Sequence, residues 1–247
     1  MPGLLALLAH PDDEFFCAGL LAAVAAQGVP VHLAYWTRGE GSGSARRRFF
    51  WSCLPPSWHY RAWEAQHAGG ILGARSVHFL GAVDPAPVGN RTFAPDESLE
   101  SIVKKIELLR AQHDPTLLLT HGSDGEYGHP AHRRLHEAAR EFSGSLALAG
   151  FAAAHPAAPR YANRSDSADF IFDSRRFNRQ KMEILRAHRS QKNVFESLAD
   201  PQNPTVRRLL RASRYEGYHV PGGEPARSAT LSLLRQWTGE GAAPPAI

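Results

Sequence analysis

Two short stretches of this 247-residue chain hold the residue types that bind cations and move protons. One is His10, Pro11, Asp12, Asp13 and Glu14; the other is His129, Pro130, Ala131 and His132. A single acid in the first turn of a helix is favoured by the helix dipole alone. An imidazole and several carboxylates in one turn are different, because packed carboxylates repel and raise each other's pKa. A cation relieves that conflict. His10 and Asp13 can close on one ion while Asp12, between them, points elsewhere. His129 and His132 stand at helix positions i and i+3, which share a face, and Pro130 suits the first helical position. Both histidines can therefore look into the same crevice as His10, Asp12 and Asp13. Three protein ligands and an open position are the pattern of a catalytic metal site rather than a structural one. Two histidines and a carboxylate suit zinc and non-haem iron alike, so ligand type does not choose between Zn2+ and Fe2+.

Both stretches follow buried apolar runs. Leu4 to Ala9 has the composition and length of a strand. Pro11 cannot continue a strand ladder and holds His10 extended. A helix is expected over Glu14 to Gln27, with Asp12 or Asp13 as its cap and Gly28 ending it. Phe15, Phe16, Leu20, Leu21 and Val24 form its apolar face, and Cys17 joins the core. Val31 to Trp36 is a second strand, so the first unit is βαβ, with a right-handed crossover and a parallel pair. Thr116 to Thr120 is a buried strand leading into the loop His121 to Gly128 and a helix from Pro130 to Phe142. Further strands are expected at Ser76 to Leu80, Leu146 to Phe151 and Asp169 to Phe172. Helices are expected at Arg61 to Leu72, with Trp63, Ala68, Ile71 and Leu72 inward, and at Glu97 to Gln112 behind an Asp96 cap. Phe177 to His188, Val206 to Ala212 and Ser228 to Trp237, the last capped by Ser228, complete the set. Strands alternating with helices predict a single α/β domain over 1–247, its mostly parallel sheet covered on both faces. Residues 239–247 read as a frayed tail. In open α/β sheets ligands bind at the carboxyl ends of the strands, where both clusters fall.

Composition narrows the classes. The apolar fraction of 43% supports a sizeable core, and the formal net charge is +4. The basic excess lies between Arg175 and Arg214, where eleven Lys or Arg face three acids; solvated helix faces account for it. No nucleic-acid motif with interleaved aromatics stands out, and no apolar run is long enough to span a bilayer. Two cysteines, Cys17 and Cys53, make no disulfide framework. The first 26 residues lack a basic n-region and carry three acids, so the expectation is a cytoplasmic protein. Residues 41–60 mix Gly, Ser, three arginines, paired prolines and many aromatics. Loops of this kind are functional or disordered, and the aromatics argue for a lid or substrate wall. Trp51 and Trp58 are its candidate substrate contacts, with Glu40 just before it.

At these residues the chain resembles a known family. AHPDDE at Ala9 to Glu14, TRGEG at Thr37 to Gly41 and GHPAH at Gly128 to His132 are similar to motifs of the LmbE-like, or PIG-L, zinc-dependent N-deacetylases. ILG at Ile71 to Gly73 and AHRSQ at Ala187 to Gln191 extend the likeness over most of the chain. The resemblance implies a Rossmann-like fold and removal of an acetyl group from a small N-acetylglucosamine-type sugar or glycoconjugate. It implies one Zn2+ per chain held by His10, Asp13 and His132, with Asp12 as general base. It assigns His129 to the oxyanion or the leaving amine, and places Arg61 where family members often have a substrate-contacting arginine. The aromatic stretch from Phe49 to Tyr60 departs from the family pattern.

The chemistry has its own rationale. An amide is a poor electrophile with a poor leaving group, and a metal polarises the carbonyl and acidifies water. Asp12 would take the water proton and pass it to the departing nitrogen. His129, protonated beside Asp124 or Glu126, would stabilise the oxyanion. The competing readings are an amidase on another acyl amide, such as a thiol conjugate, and a sugar-binding protein without catalysis. The second requires a lost ligand or base, and none of the five positions is lost. Dinucleotide binding would need G-x-G-x-x-G after the first strand, where His10 to Phe15 contains no glycine.

Overall fold

The computed structural model describes residues 2–41, 57–89, 91–143, 146–152, 167–192, 195, 209–211 and 213–239, without the side chains of Ser57 and Trp58. Strand β1 (Leu4–Leu8) passes through a 3-10 turn, Asp13–Cys17, into α1 (Ala18–Ala26) and β2 (Val31–Thr37). Helix α2 (Ser57–Leu72), β3 (Ser76–Ala82), α3 (Leu99–His113) and β4 (Leu117–Thr120) follow. A short turn at Gly125–Gly128 precedes α4 (Pro130–Phe142) and β5 (Ala147–Phe151). The C-terminal part holds β6 (Phe170–Asp173), α5 (Asn178–Ala187), β7 (Tyr215–His219) and α6 (Ala226–Thr238). Among the described residues no helix is long and apolar enough to cross a membrane.

The seven strands form one sheet in the order β3-β2-β1-β4-β5-β7-β6. Strands β1 to β5 are parallel, and β7 runs antiparallel to both β5 and β6. The chain leaves β1 toward β2 and β3, then crosses back through α3 to β4 on the other side. The crevice therefore opens between the ends of β1 and β4, the topological switch point of such a sheet. Alternation along β1 sends its residues to opposite faces, as the pleat requires. Leu4, Ala6 and Leu8 pack in a core with α1, α2, α5 and α6, while Leu5 and Leu7 pack in a second core with α3 and α4. A strand buried on both faces has no polar alternation, which is why LLALL is continuous.

Several sequence expectations change. Neither Asp12 nor Asp13 caps α1. Glu216 of β7 does so from the far end of the chain: its carboxylate accepts from Gly19 N and Leu20 N, both at 2.9 Å. Lys181 Nζ, fully buried, donates to the same carboxylate at 2.7 Å and Tyr218 Oη donates at 3.0 Å. Gly19 is required at this junction, since a Cβ there would lie 2.2 Å from Ser174 Cβ. Trp63, expected inward, is 61% exposed; Ala65, Ala68 and Leu72 carry the buried face of α2. Helix α3 is capped by Ser98, which accepts from Ser101 N at 3.2 Å, and not by Asp96. Helix α6 begins after Pro225, so Ser228 lies inside it rather than at its cap. Strand β7 was not anticipated. Val206 to Ala212 falls largely outside the described residues, as do most of the 41–60 stretch, including Trp51 and the Trp58 side chain, and the tail beyond Gly239.

Candidate active site

At the end of β1 the backbone turns sharply. His10 N donates to Asp13 Oδ2 at 2.7 Å and Asp13 N donates to His10 O at 3.2 Å. Asp12 between them sits at φ 101°, a left-handed conformation that is strained for a side-chain-bearing residue. Its amide donates to Glu14 Oε2 at 2.9 Å, and the opposite oxygen of the fully buried Glu14 pairs with His188 Nε2. His188 and Gln191 belong to the AHRSQ stretch, so the C-terminal half supports this turn from behind.

At the end of β4, Pro130 starts α4 and places His132 in its first turn. His132 Nε2 lies 3.3 Å from His10 Nδ1 and 3.4 Å from Asp13 Oδ1. His10 Nδ1 lies 3.4 Å from Asp13 Oδ2. The ligand-type atoms of His10, Asp13 and His132 all fall within 4.8 Å of one another, and all three residues are buried. Two imidazole nitrogens and a carboxylate oxygen facing one another are the donor set that a catalytic divalent cation takes.

The far side of each ligand is also held. His132 Nδ1 bonds Glu126 Oε2, and Glu126 Oε1 accepts from Gly122 N at 2.8 Å. A proton on Nδ1 donated to Glu126 leaves the Nε2 lone pair for the metal position, the usual carboxylate–histidine support. Burial opposes ionisation of Glu126, but His121 and His132 outweigh it and bring its carboxyl down to about 2. His121 stacks on His132 with ring centroids 3.9 Å apart. It accepts from Ala9 N at Nε2 (2.9 Å) and faces Glu126 with Nδ1 (3.0 Å), which fixes its tautomer. His10 Nε2 lies 3.4 Å from Asp84 Oδ1. His121, Glu126 and Asp84 were not singled out as supports by sequence reasoning; the only signal was position, each lying in the segment after a strand.

Asp12 is partnered by Arg61, whose Nη2 lies 3.2 Å from Asp12 Oδ2. Burial pushes the Asp12 carboxyl up to about 7 despite that guanidinium. Arg61 is only 3% exposed; it donates to Gly39 O at 3.1 Å through Nη1 and to Pro11 O through Nη2. It thus ties the β1 turn to the TRGEG loop. Gly39 is obligatory beneath it, because a Cβ would lie 2.0 Å from Nη1 and φ is 72°.

His129 differs from its expected role in charge. Glu126 faces His121 and His132 instead, and Asp124 accepts from Glu126 N. Burial, then the neighbouring His10 and His132, push His129 down to about 3. Its Nδ1 accepts from Ala131 N at 3.2 Å, so the neutral ring carries its proton on Nε2. Glu40 accepts from Arg38 N and Asp84 N at 3.2 and 3.1 Å, bracing the loop that presents Asp84. It does not line the cleft.

The cleft has a volume of about 240 Å³. His10, Asp12, Asp13, Arg61, Asp84 and His129 form its polar floor, and Phe93, Tyr127, Thr92 and Gln191 stand on its wall. Such a space suits a small polar ligand with one apolar face.

Residues 5–143 match the PIG-L family, described as GlcNAc-PI de-N-acetylase. The 1D-myo-inositol 2-acetamido-2-deoxy-alpha-D-glucopyranoside deacetylase of Corynebacterium glutamicum is 35% identical over 147 residues, covering 54% of this chain and 50% of that protein. The chain spans about half the length of the curated relatives it matches. GalB, the 4-carboxy-2-hydroxymuconate hydratase of Pseudomonas putida KT2440, superposes with a TM-score of 0.64 at 18% identity, covering 91% of this chain and 98% of that one. The N,N'-diacetylchitobiose deacetylase of Pyrococcus horikoshii gives 0.59 at 15% identity, covering 89% and 83%. At these identities the two structures share the fold.

Proposed function

The chain belongs to the PIG-L family, and from that premise we propose that it is a zinc-dependent N-deacetylase acting on a small N-acetylated amino sugar or glycoconjugate. The observation that carries this reading is the convergence of His10, Asp13 and His132 beside Asp12, at the floor of an open cleft. His10, Asp13 and His132 would hold one Zn2+. When bound, the ion supplies Lewis-acid polarisation of the amide carbonyl and a lowered pKa, roughly 7, for the attacking water.

The chain's own residues supply the rest. Asp12, whose carboxylate lines the cleft beside the ligands, would act as the base that takes a proton from the attacking water. The left-handed turn aims it into the cleft beside the ligands instead of into the ligand set. Arg61 Nη2 fixes its rotamer and favours its ionised form. His129, a neutral ring on the cleft floor with its proton on Nε2, would donate that N–H to the developing oxyanion. The proton that Asp12 would take from the attacking water would then pass from its Oδ to the leaving nitrogen as the C–N bond breaks. Tyr127 and Phe93 offer aromatic faces to a sugar ring. With only two cysteines in the sequence and Cys17 buried as a free thiol, a reducing cytoplasm is the compartment that fits.

The test is release of free amine from a panel of N-acetylated amino sugars, led by the inositol pseudodisaccharide on which the Corynebacterium relative is named. Activity should disappear with a chelator and return with Zn2+. His10→Ala and His132→Ala should lose metal and activity together. Full metal occupancy in both variants, or turnover indifferent to chelation, overturns the assignment.

A further inference from the structure

A second histidine cluster lies at the opposite end of the sheet. His32 is near the start of β2, His78 near the start of β3, and His113 ends α3. The β2–β3 register pairs His32 with Ser76 and Ala34 with His78. All four side chains therefore share the sheet face on which α3 packs. Three separate elements bring three imidazoles together there without any sequence proximity.

The contacts are close. His78 Nε2 lies 2.9 Å from His113 Nε2. Ser76 Oγ lies 2.7 Å from both His32 Nδ1 and His78 Nε2. The His32 and His113 rings stack with centroids 3.9 Å apart. One nitrogen from each ring can be chosen so that all lie within 4.8 Å of one another. Tetrahedral coordination at about 2.0–2.1 Å needs nitrogens about 3.3–3.4 Å apart, a value inside the span observed here. Ring rotation that opens the His32–His113 stack would bring one lone pair from each imidazole toward a common point. His32 is buried while His78 and His113 are partly exposed, so the cluster is anchored yet open to solvent. The C-terminal end of α3 adds the negative pole of its dipole; the positive charge of Arg75 near His32 is the opposing influence.

We propose that His32, His78 and His113 form a second site for a late first-row divalent ion, Zn2+ or Ni2+, distinct from the cleft. An all-imidazole set favours such ions over Mg2+ or Ca2+. The site stands about 16 Å from the cleft end of the sheet, taking five residues of β2 from His32 to Thr37 at about 3.3 Å each. Its ion would clamp the edge strand β3 and the end of α3 to β2, so it is a stabilising site with no part in turnover. The proposal is independent of how the cleft is read.

The experiment uses the untagged full chain, because an affinity tag would supply histidines of its own. Wild type, His113→Ala, His78→Gln and His10→Ala/His132→Ala are dialysed against Zn2+ and, separately, Ni2+, and bound metal is counted. Two ions are expected in the wild type and one in His113→Ala and His78→Gln, with deacetylation unchanged. The His10→Ala/His132→Ala protein should keep one ion, and its thermal midpoint should rise with Ni2+ in a way that adding His113→Ala abolishes. A wild type holding one ion that falls to none in His113→Ala would sink the reading of the cleft and support this one. Equal metal counts in wild type, His113→Ala and His78→Gln would overturn the proposal and leave a metal-free hydrogen-bonded histidine ladder.

Discussion

Removing the charge of Glu216 should unsettle the site from behind. In Glu216→Gln the ammonium of Lys181 stays buried with no counter-charge, its partners reduced to Ser174 Oγ, the Ser213 carbonyl and a neutral amide oxygen. Breaking one partner of a buried ion pair costs about 3–5 kcal/mol. For a chain of this size each kcal/mol shifts the thermal midpoint by about 2–4 °C, so a fall of roughly 6–20 °C is expected. Lys181→Met should cost less, because Glu216 keeps three neutral donors: Gly19 N, Leu20 N and Tyr218 Oη. The double variant Lys181→Met/Glu216→Gln removes the orphaned charge and leaves an amide oxygen for the α1 terminus. It should recover much of the loss, with a coupling energy of about 1–3 kcal/mol in a double-mutant cycle. Urea denaturation of the four proteins measures it. Because the Asp13–Cys17 turn runs directly into α1, metal content should fall with stability in the single Glu216 variant. A cycle that is additive within about 0.5 kcal/mol, or a Glu216→Gln midpoint equal to wild type, would refute the argument that this pair anchors the helix.

Three further outcomes follow from the cleft. Asp12→Asn keeps shape and tolerates the left-handed backbone but cannot take a proton; metal counting should show full loading while kcat falls by about 10²–10⁴. Glu126→Gln should weaken metal affinity by about 10–100-fold, read by chelator competition, since it loosens His132 without removing a ligand. Gly39→Ala places a Cβ against Arg61 Nη1 at a positive φ; it should lower the thermal midpoint and raise KM, with metal content unchanged.

The chemistry-bearing residues were legible in the sequence because each sits at a local event. An apolar strand ends, a proline turns the chain, and His10, Asp12 and Asp13 follow; the same grammar repeats at His129 and His132. Periodicity likewise marked β1, β2, β4 and α4 to within a residue or so of their observed limits, since strands buried on both faces leave continuous apolar runs. Specific motifs then tied those residues to a family.

What the sequence by itself did not determine depends on partners far apart in the chain. Asp12 and Asp13 look like helix caps by local rules, yet the α1 cap comes from Glu216, nearly two hundred residues on, because a buried lysine and a helix terminus converge on one carboxylate. That inward acid also disguised β7, whose pattern reads as polar until its partner is known. The charge of His129 turned on tertiary packing in the same way: Glu126, adjacent in sequence, is committed to His121 and His132, and burial keeps the imidazole neutral. The His32, His78 and His113 cluster leaves no trace in local spacing, for it exists only through strand register and one helix end. Local rules fix conformation over a turn or a strand, whereas a proton's position and an ion's ligands are set by whatever the fold brings within a few ångströms.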